Sequence, residues 1–196
     1  LGGQFYERVS DSVESPLTCT AFALESGNEQ MIICACDLVG IGDNLNEYVK
    51  EQLKDKLPIS PDKVIISAIH THSAYSYPRR STKGDIKGNG SLEILKKLIP
   101  DDMKYVSLNT GKKSMDPDKM WDIISNGIIK AVLEAWNNRK AGYYQNAFGR
   151  VAVGMCRRAV YDDGSAKMWG ETNLANFVEL EGGNDSGMEL IYTYDE

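Results

Sequence analysis

The chain reads as an α/β protein with a mixed sheet, at least one strand-helix-strand crossover, and helices packed on the sheet. Three observations predict this. An alternating apolar stretch, 17–24, turns at Ser26-Gly27-Asn28 into a second apolar stretch, 30–36. A segment with Leu45, Val49, Leu53 and Leu57 at four-residue spacing follows. A third apolar run, 63–69, comes directly after it. Alternation marks strands and a four-residue repeat marks a helix. Strands separated by a helical segment favour parallel pairing through a crossover.

The first two runs form a hairpin, because a short Gly-containing loop joins them. The helix begins after Gly40-Ile41-Gly42, with Asp43 or Asn44 as its cap, and Pro58 and Pro61 stop it. Residues 73–90, rich in Ser, Tyr, Gly, Lys and Arg, read as a mobile loop. A short helix over 91–99 ends at Pro100. Asp116-Pro117 opens the strongest helix, since proline suits a first helical position. Trp121, Ile124, Ile128, Val132 and Ala135 form its apolar face. Residues 143–153 read as a strand, Asp163-Gly164 as a tight turn, 181–187 as a loop and 191–196 as a final strand. One α/β domain over 1–196 is the simplest arrangement, since about 70% of the unfolded surface can be buried at this size.

The net charge of −6 lacks the basic stripe a nucleic-acid footprint needs. No apolar run approaches the ~20 residues that span a bilayer. No signal peptide is visible, but the chain begins Leu-Gly-Gly and ends on a strand that invites a partner. A fragment of a longer chain is therefore expected, either cytoplasmic or secreted. Oligomeric state is not readable.

Chemistry concentrates at His70-Thr71-His72-Ser73, which holds both histidines of the chain. Residues i and i+2 of an extended segment point the same way. His70 and His72 can thus converge as two metal ligands, or as one ligand and one acid/base. Zinc normally takes three protein ligands and an open position, so two histidines need help. Ligands in open α/β sheets sit beyond the carboxyl ends of the strands. That edge also brings Asp37, at the end of the second strand, near His70. Asp37 either orients an imidazole or caps the following helix. Arg157-Arg158 binds an anion bidentately or is a solvated pair. The cysteines 19, 34, 36 and 156 lack CxxC spacing and read as reduced, small hydrophobes rather than a zinc cluster or disulfide frame.

The run Ile66 to Ser73 resembles the Ser-Ala-Thr-His-Thr-His-Ser-Gly-Pro signature of the neutral, non-lysosomal ceramidases. Cys36-Asp37-Leu38-Val39-Gly40-Ile41 is similar to that family's Asp-Leu-Val-Gly-Ile segment. Residues 149–158 are similar to its Gly-x-Val-x-Gly-x-x-x-Asn-Arg stretch, and 17–24 to its strand before a hairpin. The resemblance implies the amino-terminal part of a zinc-dependent amidase that cleaves the N-acyl bond of ceramide or a related compound through a metal-bound water. It implies His70 as a zinc ligand, His72 as its catalytic companion and Arg157 as an active-site arginine, with a small-molecule or lipid substrate. This chain has Ala74-Tyr75 where the family has Gly-Pro, and Cys156 where it has Asn. The family's later histidine, glutamate and tyrosine have no counterpart here. Two other outcomes are a non-catalytic binding or scaffold module and a metal hydrolase of another substrate.

Overall fold

Alternation and punctuation become secondary structure in a computed structural model that describes residues 1–3, 8–77 and 115–195. The expected helix over 91–99 and the 78–90 part of the expected loop lie outside the described residues. The contacts divide the chain into two compact units, Leu1–Arg139 and Lys140–Glu196, where the sequence alone suggested one domain.

In the first unit, β1 (Cys19–Ser26) and β2 (Glu29–Cys36) form an antiparallel hairpin. A two-residue loop joins them, and Gly27 adopts φ 58°, a left-handed conformation that favours glycine. The register runs from Ser26 opposite Glu29 to Cys19 opposite Cys36. β3 (Val64–Ala68) pairs in parallel with β2, from Ile32 opposite Val64 to Cys36 opposite Ala68. The sheet order is β1-β2-β3. Parallel neighbours need a crossover connection, and α1 (Asp43–Leu53) lies within it. Its N-cap is Gly42, with no side-chain cap, so Asp43 falls inside the helix and neither Asp43 nor Asn44 caps it.

A second helix, α2 (Pro117–Asn137), is capped by Asp116, whose carboxylate accepts from the backbone N–H groups of Asp118 and Lys119 at 3.0 Å. That is the preferred N-cap arrangement. The core is built where periodicities meet. Ile32, Cys34 and Cys36 come from one face of β2, Leu45, Val49 and Leu53 from α1, and Trp121, Ile124, Ile128 and Val132 from α2. Ala135 is half-buried at the margin of the same stripe. The opposite sheet face is more open, with Phe22 and Ile65 exposed.

In the second unit, β4 (Gly142–Arg150) pairs antiparallel with β8 (Gly187–Asp195) over nine residues. A three-stranded antiparallel sheet has the order β6-β5-β7, from β5 (Arg158–Tyr161), β6 (Ala166–Met168) and β7 (Phe177–Leu180). Gly164, at φ 77°, turns β5 into β6. The two ladders and the β1-β2-β3 sheet together give the chain its mixed parallel and antiparallel α/β character. Among the described residues, no helix is long and apolar enough to cross a membrane.

Candidate functional site

The parallel ladder continues past the end of β3. The Ile69 N–H donates to the Cys36 carbonyl at 3.1 Å, and the Thr71 N–H to the Leu38 carbonyl at 3.2 Å. Residues 69–71 are thereby held alongside 36–39. Between them His70 takes φ 65°. A non-glycine residue in that region costs of order 1–3 kcal/mol, so the surroundings must hold it there.

The imidazoles show what that conformation positions. His70 Nδ1 lies 2.6 Å from the Val39 carbonyl oxygen. A carbonyl only accepts, so Nδ1 carries a proton, which in the neutral ring leaves the lone pair on Nε2. His72 Nε2 is 3.4 Å from His70 Nε2, with the rings edge to face. This exceeds the roughly 2.7–3.2 Å of a good hydrogen bond. It matches the separation of two nitrogens on one tetrahedral ion: at about 2.0–2.1 Å each, they lie about 3.3–3.4 Å apart. His70 is exposed and His72 half-buried.

The backbone behind His72 is fixed by the amino-terminal segment. Arg8 Nη2 donates to the carbonyls of Gly2, at 3.0 Å, and of His72. Gly3, at φ 88°, lies flat against the His72 ring; a Cβ there would meet Cγ at 2.6 Å. Tyr77 ties the neighbouring loop, donating to the Gly40 carbonyl and accepting from the Gly42 N–H, each at 2.9 Å. Nothing in the sequence singled out Arg8, Gly3 or Tyr77, because their role is to hold backbone.

Asp37 does not orient an imidazole. Its Oδ2 accepts from the Thr18 N–H and from the Thr18 hydroxyl, both at 2.8 Å. Strand alternation explains this. Thr18 continues β1 one residue before Cys19, opposite Asp37, so the two side chains share a sheet face. Asp37 falls on the face of Ile69, Thr71 and Ser73, and these residues line one cleft of about 430 Å³. The histidines occupy the alternate positions. The orienting partner of His70 is the Val39 carbonyl instead, and Asp37 does not cap α1 either.

Arg157 belongs to the second unit. Its guanidinium stacks 4.1 Å from the ring centre of the exposed Trp169, and its carbonyl accepts from the Trp169 N–H at 3.0 Å. Arg158 pairs with Glu181 at 3.0 Å. The two arginines therefore differ: one is stacked and the other ion-paired.

A second cluster is one that the sequence reading set aside in favour of small hydrophobes. The cysteines remain free thiols. Cys19 Sγ lies 3.0 Å from Cys34 Sγ and 3.7 Å from Cys36 Sγ, and the latter two are 4.0 Å apart. The three can hold a metal ion. Among the described residues, no cysteine, aspartate or glutamate joins the histidine pair as a third ligand in the same way. Cys19 is the most acidic of the three. Thiol donors, Cys34 first and then Cys36, pull its pKa from 9.0 down to about 4, against opposing burial and the Asp37 charge. Sharing those hydrogen bonds keeps Cys34 well above the ordinary thiol range and pushes Cys36 up to about 12.

Comparison of the chain with protein-family models, curated proteins and solved structures finds no match.

Proposed function

We propose that the protein is a zinc-dependent hydrolase of neutral ceramidase type, acting on the N-acyl amide bond of ceramide or a related N-acyl compound. The observation that carries the metal assignment is the 3.4 Å separation of the two Nε2 atoms, with His70 Nδ1 committed to the Val39 carbonyl. The donor chemistry fits zinc, which accepts neutral imidazole nitrogen. A second acceptor on the far ring nitrogen is the usual support for such a ligand. The reaction type and substrate rest on the resemblance of His70-Thr71-His72-Ser73 and its flanking segments.

When bound, zinc supplies a water with pKa near 7 and polarises the scissile carbonyl. The described residues offer two of the three protein ligands such a site takes, and position them. Val39 fixes the His70 tautomer, so the lone pair faces His72. Arg8 and Gly3 hold His72 against its partner. Arg157 stands as an active-site arginine on the resemblance alone.

The chain contains only two histidines, so NMR of the imidazole nitrogens reads this site alone. Zinc should shift both Nε2 resonances together and leave the His70 Nδ1 proton in place. His70→Ala should abolish the response of His72 and reduce N-acyl hydrolysis by at least 100-fold. Zinc that moves neither ring, or hydrolysis unchanged by the substitution, would overturn the reading.

A further inference from the structure

The β1–β2 register does more than close a hairpin. It sets Cys19 opposite Cys36, and Cys34 lies two residues along β2 on the same face. All three thiols therefore meet on the helix-covered side of the sheet. Their separations of 3.0, 3.7 and 4.0 Å describe a compact triangle. Thiolates about 2.3 Å from one ion lie roughly 3.7–4.0 Å apart, between tetrahedral and trigonal arrangements. Two edges already have that length, and the Cys19–Cys34 edge needs to open by less than about 1 Å.

Access is also present. Cys34 and Cys36 are buried, but Cys19 is half-buried. Cys19 and Cys36 line a cleft of about 340 Å³ between the start of β1 and helix α2. Asp37 lines the same cleft and adds negative charge beside the sulfurs, and Gly127 of α2 leaves room opposite them. Metal sites are entered by such a path, and ligand count and donor type then select the ion. An all-sulfur donor set favours soft ions such as Cu(I), with Zn(II) next.

We propose that Cys19, Cys34 and Cys36 form a three-thiolate site for a soft, thiophilic metal ion, opening on the β1–α2 cleft and independent of the histidine pair. Binding would release the thiol protons to solvent. The same thiols also serve as small apolar side chains in the core. That role alone predicts no metal binding and so gives the test its opposing outcome.

Cadmium is a suitable probe, because it reports sulfur ligation directly. The full chain, reduced and stripped of metal, is titrated with Cd(II) alone. The expected result is a thiolate-to-cadmium charge-transfer band that saturates at one equivalent. Cys19→Ser should weaken binding at least tenfold, while Cys156→Ser and His70→Ala leave it unchanged. The ¹¹³Cd resonance of the unmodified protein should lie in the thiolate-rich range, a readout that needs no variant to fold. Absence of the band, equal weakening by Cys156→Ser, or a resonance only in the nitrogen and oxygen range would each overturn the proposal.

Discussion

His70 is the residue where conformation and chemistry are most tightly joined. It lies two residues past the end of β3, in the left-handed region, and the turn it makes lets its ring reach both Val39 and His72. Glycine adopts this conformation freely, whereas alanine pays about 1 kcal/mol or more. Both substitutions remove the imidazole, so their difference isolates the backbone. His70→Gly should therefore be more stable to urea than His70→Ala by about 1 kcal/mol. Equal stability would mean that the backbone relaxes out of the left-handed region once the ring is gone. Cys19 makes a second prediction at this scale. An ordinary thiol with pKa near 8.5 loses reactivity about tenfold per unit below pH 8. Cys19, held down to about 4 chiefly by the Cys34 thiol, keeps its thiolate until pH falls through that value. Iodoacetamide should label it at nearly constant rate from about pH 8 to pH 5, and mass mapping should find the label on Cys19. A rate that drops steadily across that range would show that the thiols do not share one ionisation.

The elements follow from signals of local physics, and their stability divides accordingly. In α2, Asp116 satisfies two N–H groups at an exposed helix end, so Asp116→Ala should cost about 0.5–2 kcal/mol. Leu45 of α1 is fully buried in the core. Leu45→Ala should cost about 2–5 kcal/mol, because it leaves a cavity as well as losing transfer energy. Chemical denaturation of the two variants should give that order, and a reversed order would misplace the core. The same contrast bounds what was legible in advance. Alternation, four-residue spacing and the prolines at 58, 61 and 117 marked the hairpin, both described helices and the parallel pair. The histidine pair was legible because it sits where a strand ends. The role of Val39 was not, since a backbone carbonyl carries no side-chain signal. Asp37 was misassigned to the histidines because shared location at a strand end does not fix which face a side chain takes. The thiol cluster was within reach. A two-residue loop at Gly27-Asn28 puts Cys19 opposite Cys36, but that follows only once the hairpin register is counted.

At the scale of the molecule, the first compact unit carries two donor sets that share no residue. The imidazole pair offers borderline nitrogen, the thiol triangle soft sulfur. Strand geometry keeps them apart: the cysteines occupy the core face of β1 and β2, while the histidines lie beyond the end of β3. A protein of net charge −6 attracts cations to both without selecting between them, so selection falls to the donor atoms. Independent sites give additive effects, whereas coupled sites do not. His70→Ala should erase the zinc response of the His72 ring and leave cadmium affinity within about twofold, well inside the tenfold that 1.4 kcal/mol represents. Cys19→Ser should do the reverse. The double variant should lose both responses, each to the extent seen in its single variant. Titrations with zinc read by imidazole NMR, and with cadmium read by charge transfer, measure the four arms of this cycle. Loss of cadmium binding in His70→Ala would show that one ion bridges the two sets. That outcome would replace two sites by a single mixed nitrogen–sulfur centre, and the three-thiolate assignment would fall with it.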